Sequence, residues 1–444
     1  VTGRGEISTP HRIEIYAGPN ASGLRLLGTQ DVFNFNVHTF NLPLAWTDIG
    51  ADGRMTVRMR LLATGTAARA SVSYIKLNYP QNFNTTGSTE KYFQLAENVS
   101  GKSFVNITNV PVNSRLFDVT DPANVSWYQP PAATFNPVVS NTEISRKLFL
   151  TNIIRSATGI KRVNFRNINA AQHNYIVISH SSLMKSAGEY SDAVKAYAGY
   201  RASEAGGSYD TLVVDIHQLY NQFNYGEISP LAIHRFMKYM VDNGSPKYLF
   251  IIGKGLDWSL NYHRNPTAPA FNVYKDLVPS AGKPASDMYY TVGLGSSLHQ
   301  PAVPTGRISA TNASQVAAYL NKVKEMEALP FNDLWRKRII HLSGGLTPVE
   351  TQLFRLYLED FKDVAEDLYL GGSVRAQAKN TTNVGELINI SDEVNNGINM
   401  ITFFGHSSPE TNVFEVGFVT NPALGYNNPG KYPMFLINGC NAAD

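Results

Sequence analysis

Two side chains near the C-terminal end of the chain are suited to nucleophilic chemistry. Residues 398–404 and 432–437 are apolar runs of about one strand each, and short apolar runs bounded by Gly and Pro are typical of buried parallel strands. His406 follows the first run, and Cys440, the only cysteine of the chain, follows the second. Because the carboxyl ends of parallel strands meet at one edge of a sheet, we expect the two side chains to lie close together.

A cysteine and a histidine are the minimum set for catalysis by a thiol. The histidine removes the thiol proton, the thiolate attacks a carbonyl carbon, and the histidine then protonates the leaving amine. A structural interpretation is also open, because a single cysteine is often a small buried apolar residue and a single histidine is often structural. The position of the pair after consecutive strands, each residue behind a glycine, favours catalysis.

Around these turns the sequence resembles the gingipain family of cysteine peptidases, which have a caspase-like fold. The Gly-His pair at residues 405–406 resembles the family's histidine turn, and the Asn-Gly-Cys-Asn segment at residues 438–441 resembles the turn of its nucleophile. Upstream, residues 286–290 resemble the family's aspartate-tyrosine segment, and residues 304–308 resemble its Gly-Arg strand. The resemblance extends from about residue 174 to the C-terminus.

The resemblance implies a role for each residue of the two turns. Cys440 would be the nucleophile, and His406 would be the general base and then the general acid. The backbone N–H groups of Ser407 and Cys440 would form the oxyanion hole. Gly405 and Gly439 would line the substrate cleft.

Three features depart from the pattern of the family. Ser407 stands where the family has a glycine, so a backbone conformation open only to glycine is excluded there. The family orients its histidine with an acid near the strand that here ends at residues 342–345; no acid is present there, and Glu350 is the nearest candidate. The chain ends four residues after Cys440, whereas the family continues with further helix and strand, so we expect a truncated or processed domain.

Asp287 is the remaining candidate for the substrate cleft. By resemblance, its carboxylate would receive a basic side chain of the substrate or bind a structural calcium ion, as gingipains do. Its position directly after Ser286 equally permits a simple turn-capping role. We expect no required cofactor and no catalytic metal, and the single cysteine excludes a multi-cysteine metal site.

Composition narrows the functional classes. A net charge of +3 over 444 residues, without a basic cluster, argues against a nucleic-acid partner. No apolar run approaches the roughly 18 residues that span a bilayer, and one cysteine excludes internal disulfides. The chain begins at Val1 without a signal peptide, which is typical of a mature or trimmed end. Its low charged fraction and its many Asn, Thr, Ser and Tyr residues suggest an exported protein.

The chain divides into a β-rich part and an α/β part. Residues 1–145 contain strictly alternating runs such as 12–16 and 54–61, which predict an all-β sandwich. Residues 146–173 are polar with short apolar runs and predict a linker with connecting strands. The chemistry is therefore expected in the part that follows.

From residue 174 onward, strands and helices alternate, which predicts a parallel sheet covered by helices on both faces. Residues 248–252 predict a strand, and residues 314–329 and 349–370 predict helices. The pattern repeats, so we expect two caspase-like subdomains, residues 174–334 and residues 335–444, with the histidine and cysteine in the second.

The order of the domains refines the resemblance. Gingipains carry an immunoglobulin-like domain after the peptidase, whereas here the β-rich part precedes it, as in PorU-type sortases of the type IX secretion system of Bacteroidetes. That resemblance implies an enzyme that cleaves C-terminal sorting domains from secreted proteins. A thioester on Cys440 would then pass each protein to an amine at the cell surface. It also implies an outer-membrane β-barrel partner and a location on the extracellular face of the outer membrane.

Two alternatives stay open. A plain gingipain-like secreted cysteine protease would hydrolyse peptides without an amine acceptor, and a non-catalytic binding relative would keep the fold with a thiol of ordinary reactivity. The same cysteine and histidine serve hydrolysis and transpeptidation, so the residues do not separate these two reactions. A serine hydrolase and a zinc peptidase are disfavoured, because neither Gly-x-Ser-x-Gly nor His-Glu-x-x-His occurs.

Overall fold

The computed structural model describes residues 2–4, 11–33, 35–62, 68–157, 159–408, 411–440 and 442. Contacts divide the chain into two units, Val1–Ile160 and Lys161–Asp444. The division falls later than the predicted boundary at residue 145. The reason is that Arg146–Thr151, which lies in the stretch predicted as a linker with connecting strands, is a strand that pairs along its whole length inside the first unit.

The first unit consists of antiparallel strands. Their bounds are β1 (Thr2–Arg4), β2 (His11–Gly18), β3 (Arg25–Val32), β4 (Phe35–Val37), β5 (Thr56–Leu62), β6 (Arg69–Ser71), β7 (Glu90–Leu95), β8 (Lys102–Phe104), β9 (Ile107–Thr108), β10 (Arg115–Asp118), β11 (Ser126–Tyr128), β12 (Thr134–Phe135), β13 (Val138–Ser140) and β14 (Arg146–Thr151). One sheet has the order β11-β10-β14-β7, two others have the orders β4-β1-β6 and β3-β2-β5, and β12-β9 and β13-β8 form pairs.

Alternation along β14 shows why these residues form a sheet. Leu148 and Leu150 are fully buried on one face, and Phe149 between them stacks on Tyr92 of β7 with ring centroids 4.4 Å apart. Side chains of a strand alternate between faces, so one face of this sheet meets a core and the other meets neighbouring rings. The predicted antiparallel β structure is confirmed, while a single sandwich stays a prediction.

The second unit alternates strands and helices. Its strands are β15 (Tyr175–Ser179), β16 (Thr211–Asp215), β17 (Tyr248–Ile252), β18 (Thr305–Ile308), β19 (Arg338–Gly344), β20 (Ser373–Ala378), β21 (Glu386–Leu387), β22 (Met400–Gly405), β23 (Phe414–Glu415) and β24 (Met434–Asn438). Its helices are α1 (Ala193–Ala202), α2 (Ile216–Phe223), α3 (Leu231–Asn243), α4 (Ala313–Ala328), α5 (Pro348–Ala365) and α6 (Ser391–Asn396).

Two four-stranded sheets, both entirely parallel, organise this unit. The first sheet has the order β16-β15-β17-β18, and the second has the order β20-β19-β22-β24. Strands β21 and β23 add a short parallel pair. Helices connect several of the parallel strands: α1 lies between β15 and β16, α2 and α3 between β16 and β17, α4 between β18 and β19, and α5 between β19 and β20. The predicted α/β architecture with parallel sheets is confirmed.

Local signals set the ends of the helices near the second sheet. Thr347 caps α5 by accepting the N–H of Glu350, and Pro348 occupies the first helical position. The helix ends at Ala365, earlier than the residue 370 that was predicted. Beyond its end, Glu366 accepts the N–H of Val374 at 2.8 Å, so this side chain bonds to the following strand.

Burial differs between the two sheets. Strand β15 is buried along its whole length, with apolar clusters on both faces of the first sheet. In the second sheet, β19 is buried from Ile339 to Gly344, whereas β24 is exposed at every residue. A search of the helices in the described part of the chain found none with the length and apolar character to cross a membrane.

Candidate active site

Three strand ends of the second sheet build the candidate site. Strands β19, β22 and β24 end at Gly344, Gly405 and Asn438. The parallel register places Gly344 opposite Gly405 on one side of β22 and Phe404 opposite Asn438 on the other. The turns that carry His406 and Cys440 therefore leave adjacent strands at the same edge of the sheet.

Close backbone packing requires the glycine in front of the histidine. A Cβ atom on Gly405 would collide with the carbonyl oxygen of Gly344 on the neighbouring strand. The N–H of His406 is 3.4 Å from that same oxygen, which holds the turn against β19. A side chain at position 405 would push the histidine turn away from the sheet.

Ser407 joins the histidine turn directly to the cysteine turn. Its hydroxyl donates a hydrogen bond of 2.7 Å to the carbonyl oxygen of Cys440. A Cβ atom on Gly439 would collide with this same hydroxyl oxygen, so the glycine before the cysteine makes room for the bond. The serine that departs from the family pattern thus makes a contact that a glycine lacks.

Glu350 lies against the imidazole of His406. One carboxylate oxygen is 3.3 Å from His406 Nε2, and the other accepts the N–H groups of Leu346 at 3.0 Å and Thr347 at 3.1 Å. The backbone N–H of Leu346 and the imidazole both favour the ionised form, so they hold the pKa of Glu350 below its usual range. The structure thus brings the nearest acid in sequence into contact with the histidine.

An aromatic ring adds a second contact to the histidine. Phe354 packs edge-on to His406 with ring centroids 5.8 Å apart, and it also packs against Phe404 at 5.0 Å. Sequence reasoning did not assign Phe354 to the site. A signal was present, because Phe354 follows Glu350 by four residues on α5 and residues at this spacing share a helix face.

Cys440 carries a free thiol on the surface of the protein. Among the described residues, no hydrogen bond joins the thiol to His406, and the imidazole Nε2 faces Glu350 instead. The sheet therefore brings the two turns together without showing a completed Cys–His pair. The catalytic roles predicted for both residues stay predictions.

Backbone geometry orients the N–H of Ser407. The neighbouring N–H of Ser408 donates to Thr411 and the carbonyl of His406 accepts from Val413, so both point toward residues 411–413. Successive peptide groups of an extended chain point to opposite sides, so the N–H of Ser407 points away from residues 411–413. Within the described ranges, neither this N–H nor that of Cys440 donates to a protein acceptor.

Asp287 lies elsewhere in the unit, beside the first sheet. Both of its oxygens bind Arg307 of β18, at 2.7 Å to Nε and 2.8 Å to Nη2. Arg307 also donates to the carbonyls of Gly253 at 2.5 Å and Val278 at 2.8 Å. The carboxylate is thus engaged by an internal cation, and the structure shows no contact between Asp287 and the two turns among the residues it describes.

A calcium ion does not fit Asp287 in this arrangement. Calcium takes six to eight oxygen ligands, whereas both oxygens of Asp287 already bind a guanidinium group. The described part of the chain brings together no group of three or more His, Cys, Asp or Glu side chains able to hold a metal ion. The role of Asp287 in a substrate cleft stays a prediction.

Comparisons with known structures give low overall similarity. Latent PorU from Porphyromonas gingivalis is 11% identical, with a TM-score of 0.40 over 73% of this chain and 33% of that one. The Arg-specific cysteine proteinase gingipain R (RgpB) is 16% identical, with a TM-score of 0.41 over 62% of this chain and 56% of that one. The complex of Porphyromonas gingivalis RgpB pro- and mature domains is 14% identical, with a TM-score of 0.40 over 60% of this chain and 55% of that one.

The chain spans between about a third and just over a half of the length of these structures. A search of curated proteins found no match. The profile of peptidase family C25 matches residues 168–444, which is more than half of the chain and includes both turns. The predicted resemblance to gingipain-type cysteine peptidases is confirmed, and the chain belongs to peptidase family C25.

Proposed function

We propose that this chain is a cysteine peptidase in which Cys440 is the nucleophile, His406 is the general base and acid, and Glu350 orients the imidazole. Membership of peptidase family C25 supports the class of reaction. One observation carries the assignment of residues: the Glu350–His406 pair and the cysteine turn lie at one sheet edge, joined through Ser407.

Glu350 selects which nitrogen of His406 does the chemistry. Its ionised carboxylate accepts the Nε2–H of the ring, which leaves the lone pair on Nδ1. Nδ1 then takes the thiol proton from Cys440. This assignment requires the thiol to come within hydrogen-bond distance of Nδ1 when substrate binds, because catalytic hydrogen bonds often tighten only in the complex.

Peptide cleavage then proceeds in two stages. The thiolate of Cys440 forms a bond to the carbonyl carbon, and the carbonyl electron pair moves to oxygen, where the N–H groups of Ser407 and Cys440 stabilise the charge. The carbon–nitrogen bond breaks as His406 Nδ1–H protonates the departing amine. The acyl group remains as a thioester on Cys440 until water or an amine attacks it.

Alkylation of Cys440 by iodoacetamide tests the coupling of the two residues. The rate would be measured from pH 6 to pH 9 in the wild-type chain, in His406→Ala and in the control His299→Ala, whose ring is exposed in a loop. At pH 6.5 we expect His406→Ala to lower the rate by roughly tenfold or more, because the imidazole no longer takes the proton. His299→Ala should match the wild type.

Equal rates in all three proteins would overturn the peptidase proposal. In that case the non-catalytic binding relative would be the better description. Loss of reactivity in His299→Ala as well would indicate a general change of structure, which circular dichroism of each variant would detect.

We further propose the sortase-like form of this activity, carried out by two caspase-like subdomains that meet near residue 335. The substrates are secreted proteins with C-terminal signal domains, the partner is an outer-membrane β-barrel, and the location is the cell surface. The order of the domains supports the sortase-like activity, because a β-rich unit precedes the region that matches family C25.

Partition of the thioester separates the sortase-like enzyme from a plain protease. A peptide substrate would be incubated with the enzyme and increasing glycinamide as an amine acceptor, with products resolved by mass spectrometry. Transpeptidation predicts an amide product that grows with acceptor concentration at the expense of the acid. An acid product alone at every concentration supports the plain gingipain-like protease.

A further inference from the structure

A second pair of chemically capable residues lies at the carboxyl edge of the first sheet. Strands β15 and β16 are adjacent and parallel, with Ser179 opposite Asp215 at their last residues. His180 follows β15 directly, and His217 lies in the first turn of α2, two residues after β16. The imidazoles face each other, with 3.1 Å between their Nε2 atoms and 5.0 Å between their ring centroids.

These distances are close to those of two imidazoles bound to one metal ion. Zinc–imidazole bonds are about 2.05 Å long, so nitrogens 3.1 Å apart would subtend an angle of about 100° at the metal. That angle lies between octahedral and tetrahedral values. With the metal in line with each ring, the centroids would lie about 4.8 Å apart, against the observed 5.0 Å.

Groups around the pair suit a metal ligand. Ser182 Oγ is 2.7 Å from His180 Nδ1, where it can accept the ring proton once Nε2 gives its lone pair to a metal. Without metal, the backbone N–H of Ser182 donates to Nδ1, so the proton resides on Nε2 and is donated to His217. Metal binding therefore moves one proton from Nε2 to Nδ1 of His180, which replaces the hydrogen bond from the Ser182 N–H by one to Ser182 Oγ and leaves the net charge of the ring unchanged.

Asp215 supplies negative charge at the same place. One oxygen accepts the N–H of His217 at 2.8 Å, and the other is buried with no hydrogen-bond partner among the described residues. An additional positive charge at this sheet edge would be attracted by the Asp215 carboxylate.

We propose that His180 and His217 form a binding site for a divalent transition metal such as Zn²⁺, Ni²⁺ or Cu²⁺. Imidazole ligands favour these ions over Mg²⁺ and Ca²⁺, which prefer oxygen. The described residues supply no third His, Cys, Asp or Glu ligand, so water completes the coordination. A metal here would tie the segment after β15 to the first turn of α2, and it takes no part in the cysteine chemistry.

Zinc titration by calorimetry tests the site in the full chain. All proteins would carry Cys440→Ala, so that no thiolate competes for the metal. We expect one Zn²⁺ per chain in this background and an affinity at least about tenfold lower in His180→Ala and in His217→Ala. His234→Ala is the matched control, because its ring contacts the carbonyl of Tyr289 and not the pair, and it should bind as the parent does.

The number of nitrogen ligands of bound Cu²⁺ is a second measurement, and a purely structural role of the histidines would not predict it. Electron paramagnetic resonance of bound Cu²⁺ should show coupling to two nitrogens, and to one in His217→Ala. His217 is exposed, so this variant should stay folded even if His180→Ala does not. Unchanged zinc affinity in His217→Ala, equal loss in His234→Ala, or copper spectra without two nitrogen couplings would overturn the proposal.

Discussion

The two parallel sheets have the same strand order but differ in how well their faces are covered. If the four strands of each sheet are numbered in sequence order, both sheets have the spatial order 2-1-3-4. The first sheet has apolar clusters on both faces, whereas β24 of the second sheet is exposed at every residue. Helix α5 buries only Leu358 and Ala365. Parallel sheets depend on cover from both sides, so the first sheet is the better stabilised of the two.

The candidate chemistry lies on the less covered sheet. His406 and Cys440 are held there by two hydrogen bonds, one from the ring to Glu350 and one from the Ser407 hydroxyl to the Cys440 carbonyl, and less by surrounding core. Beside the first sheet, Arg307 of β18 and Asp287 form an ion pair that is largely shielded from solvent. We infer that substitutions in the first sheet act mainly on stability and that substitutions in the second act mainly on reactivity.

Matched phenylalanine truncations give the largest expected difference. Phe236 of α3 is fully buried against the first sheet, while Phe435 of β24 is 40% exposed. We expect Phe236→Ala to lower the free energy of unfolding by about 3–5 kcal/mol and Phe435→Ala by about 1 kcal/mol or less. Urea denaturation followed by circular dichroism would measure both. Equal losses would mean that β24 is covered from solvent to the same degree as the first sheet.

Removing the carboxylate should also cost more stability in the pair beside the first sheet, Asp287–Arg307, than in the pair beside the second sheet, Glu350–His406. Side chains of Asp287 and Arg307 are 21% and 12% exposed, against 36% and 42% for Glu350 and His406. Asp287→Ala leaves the largely buried guanidinium of Arg307 without its counterion, and we expect a loss of about 2–4 kcal/mol. Glu350→Ala should destabilise the protein far less, because its partner stays in contact with water.

The same variant tests the cleft role that the sequence predicted for Asp287. If Asp287→Ala remains as stable as the wild type but no longer cleaves peptides with basic side chains, the carboxylate serves the substrate. Loss of stability without a change in preference among substrates would assign Asp287 to the support of the first sheet.

Glu350→Gln should reduce activity more than stability. Without the carboxylate, the Nε2–H of His406 loses its ionised acceptor, and we expect kcat/KM to fall by about tenfold to a hundredfold. KM should change little, because Glu350 is assigned to orient the ring and not to bind the peptide. An unchanged kcat/KM would remove Glu350 from the mechanism.

The contribution of Glu350 to stability has a defined pH window. Its pKa in the folded chain lies below the ordinary value of 4.5. Its stabilising effect is therefore complete above about pH 4.5 and is lost as the pH falls through the lower folded pKa. The difference in melting temperature between wild type and Glu350→Gln should be constant from pH 5 to pH 8 and should shrink below pH 4.5. A difference that grows on acidification would contradict this sign.

Ser407 gives the smallest expected effect. Ser407→Ala removes the hydrogen bond to Cys440 but keeps the backbone N–H, and a single hydrogen bond contributes about 0.5–1.5 kcal/mol. We expect a fall in kcat/KM of up to about tenfold, with rescue by Ser407→Thr, which retains the hydroxyl. Failure of threonine to rescue, together with normal folding, would show that the hydroxyl does not position the cysteine turn.

Local sequence signals predicted much of the architecture. The strand predicted at residues 248–252 forms as Tyr248–Ile252, and the helix predicted at residues 314–329 forms as Ala313–Ala328. Both outcomes follow from short-range physics, because apolar periodicity and capping residues act within a few positions of the chain. The turns that carry His406 and Cys440 were placed at one sheet edge by the same reasoning.

Only the tertiary structure decided which distant residues meet. Glu350 contacts His406, which lies 56 residues later in the sequence, and Arg307 binds Asp287, which lies 20 residues earlier. The helix predicted at residues 349–370 has regularly spaced apolar residues, yet Phe361 and Val364 of α5 are largely exposed. A period shows which side chains share a face, whereas packing of separate elements determines what that face meets. For the same reason, the sequence named the cysteine, the histidine and Glu350 as candidates, and the fold determined that Glu350 and Phe354 would lie against the ring.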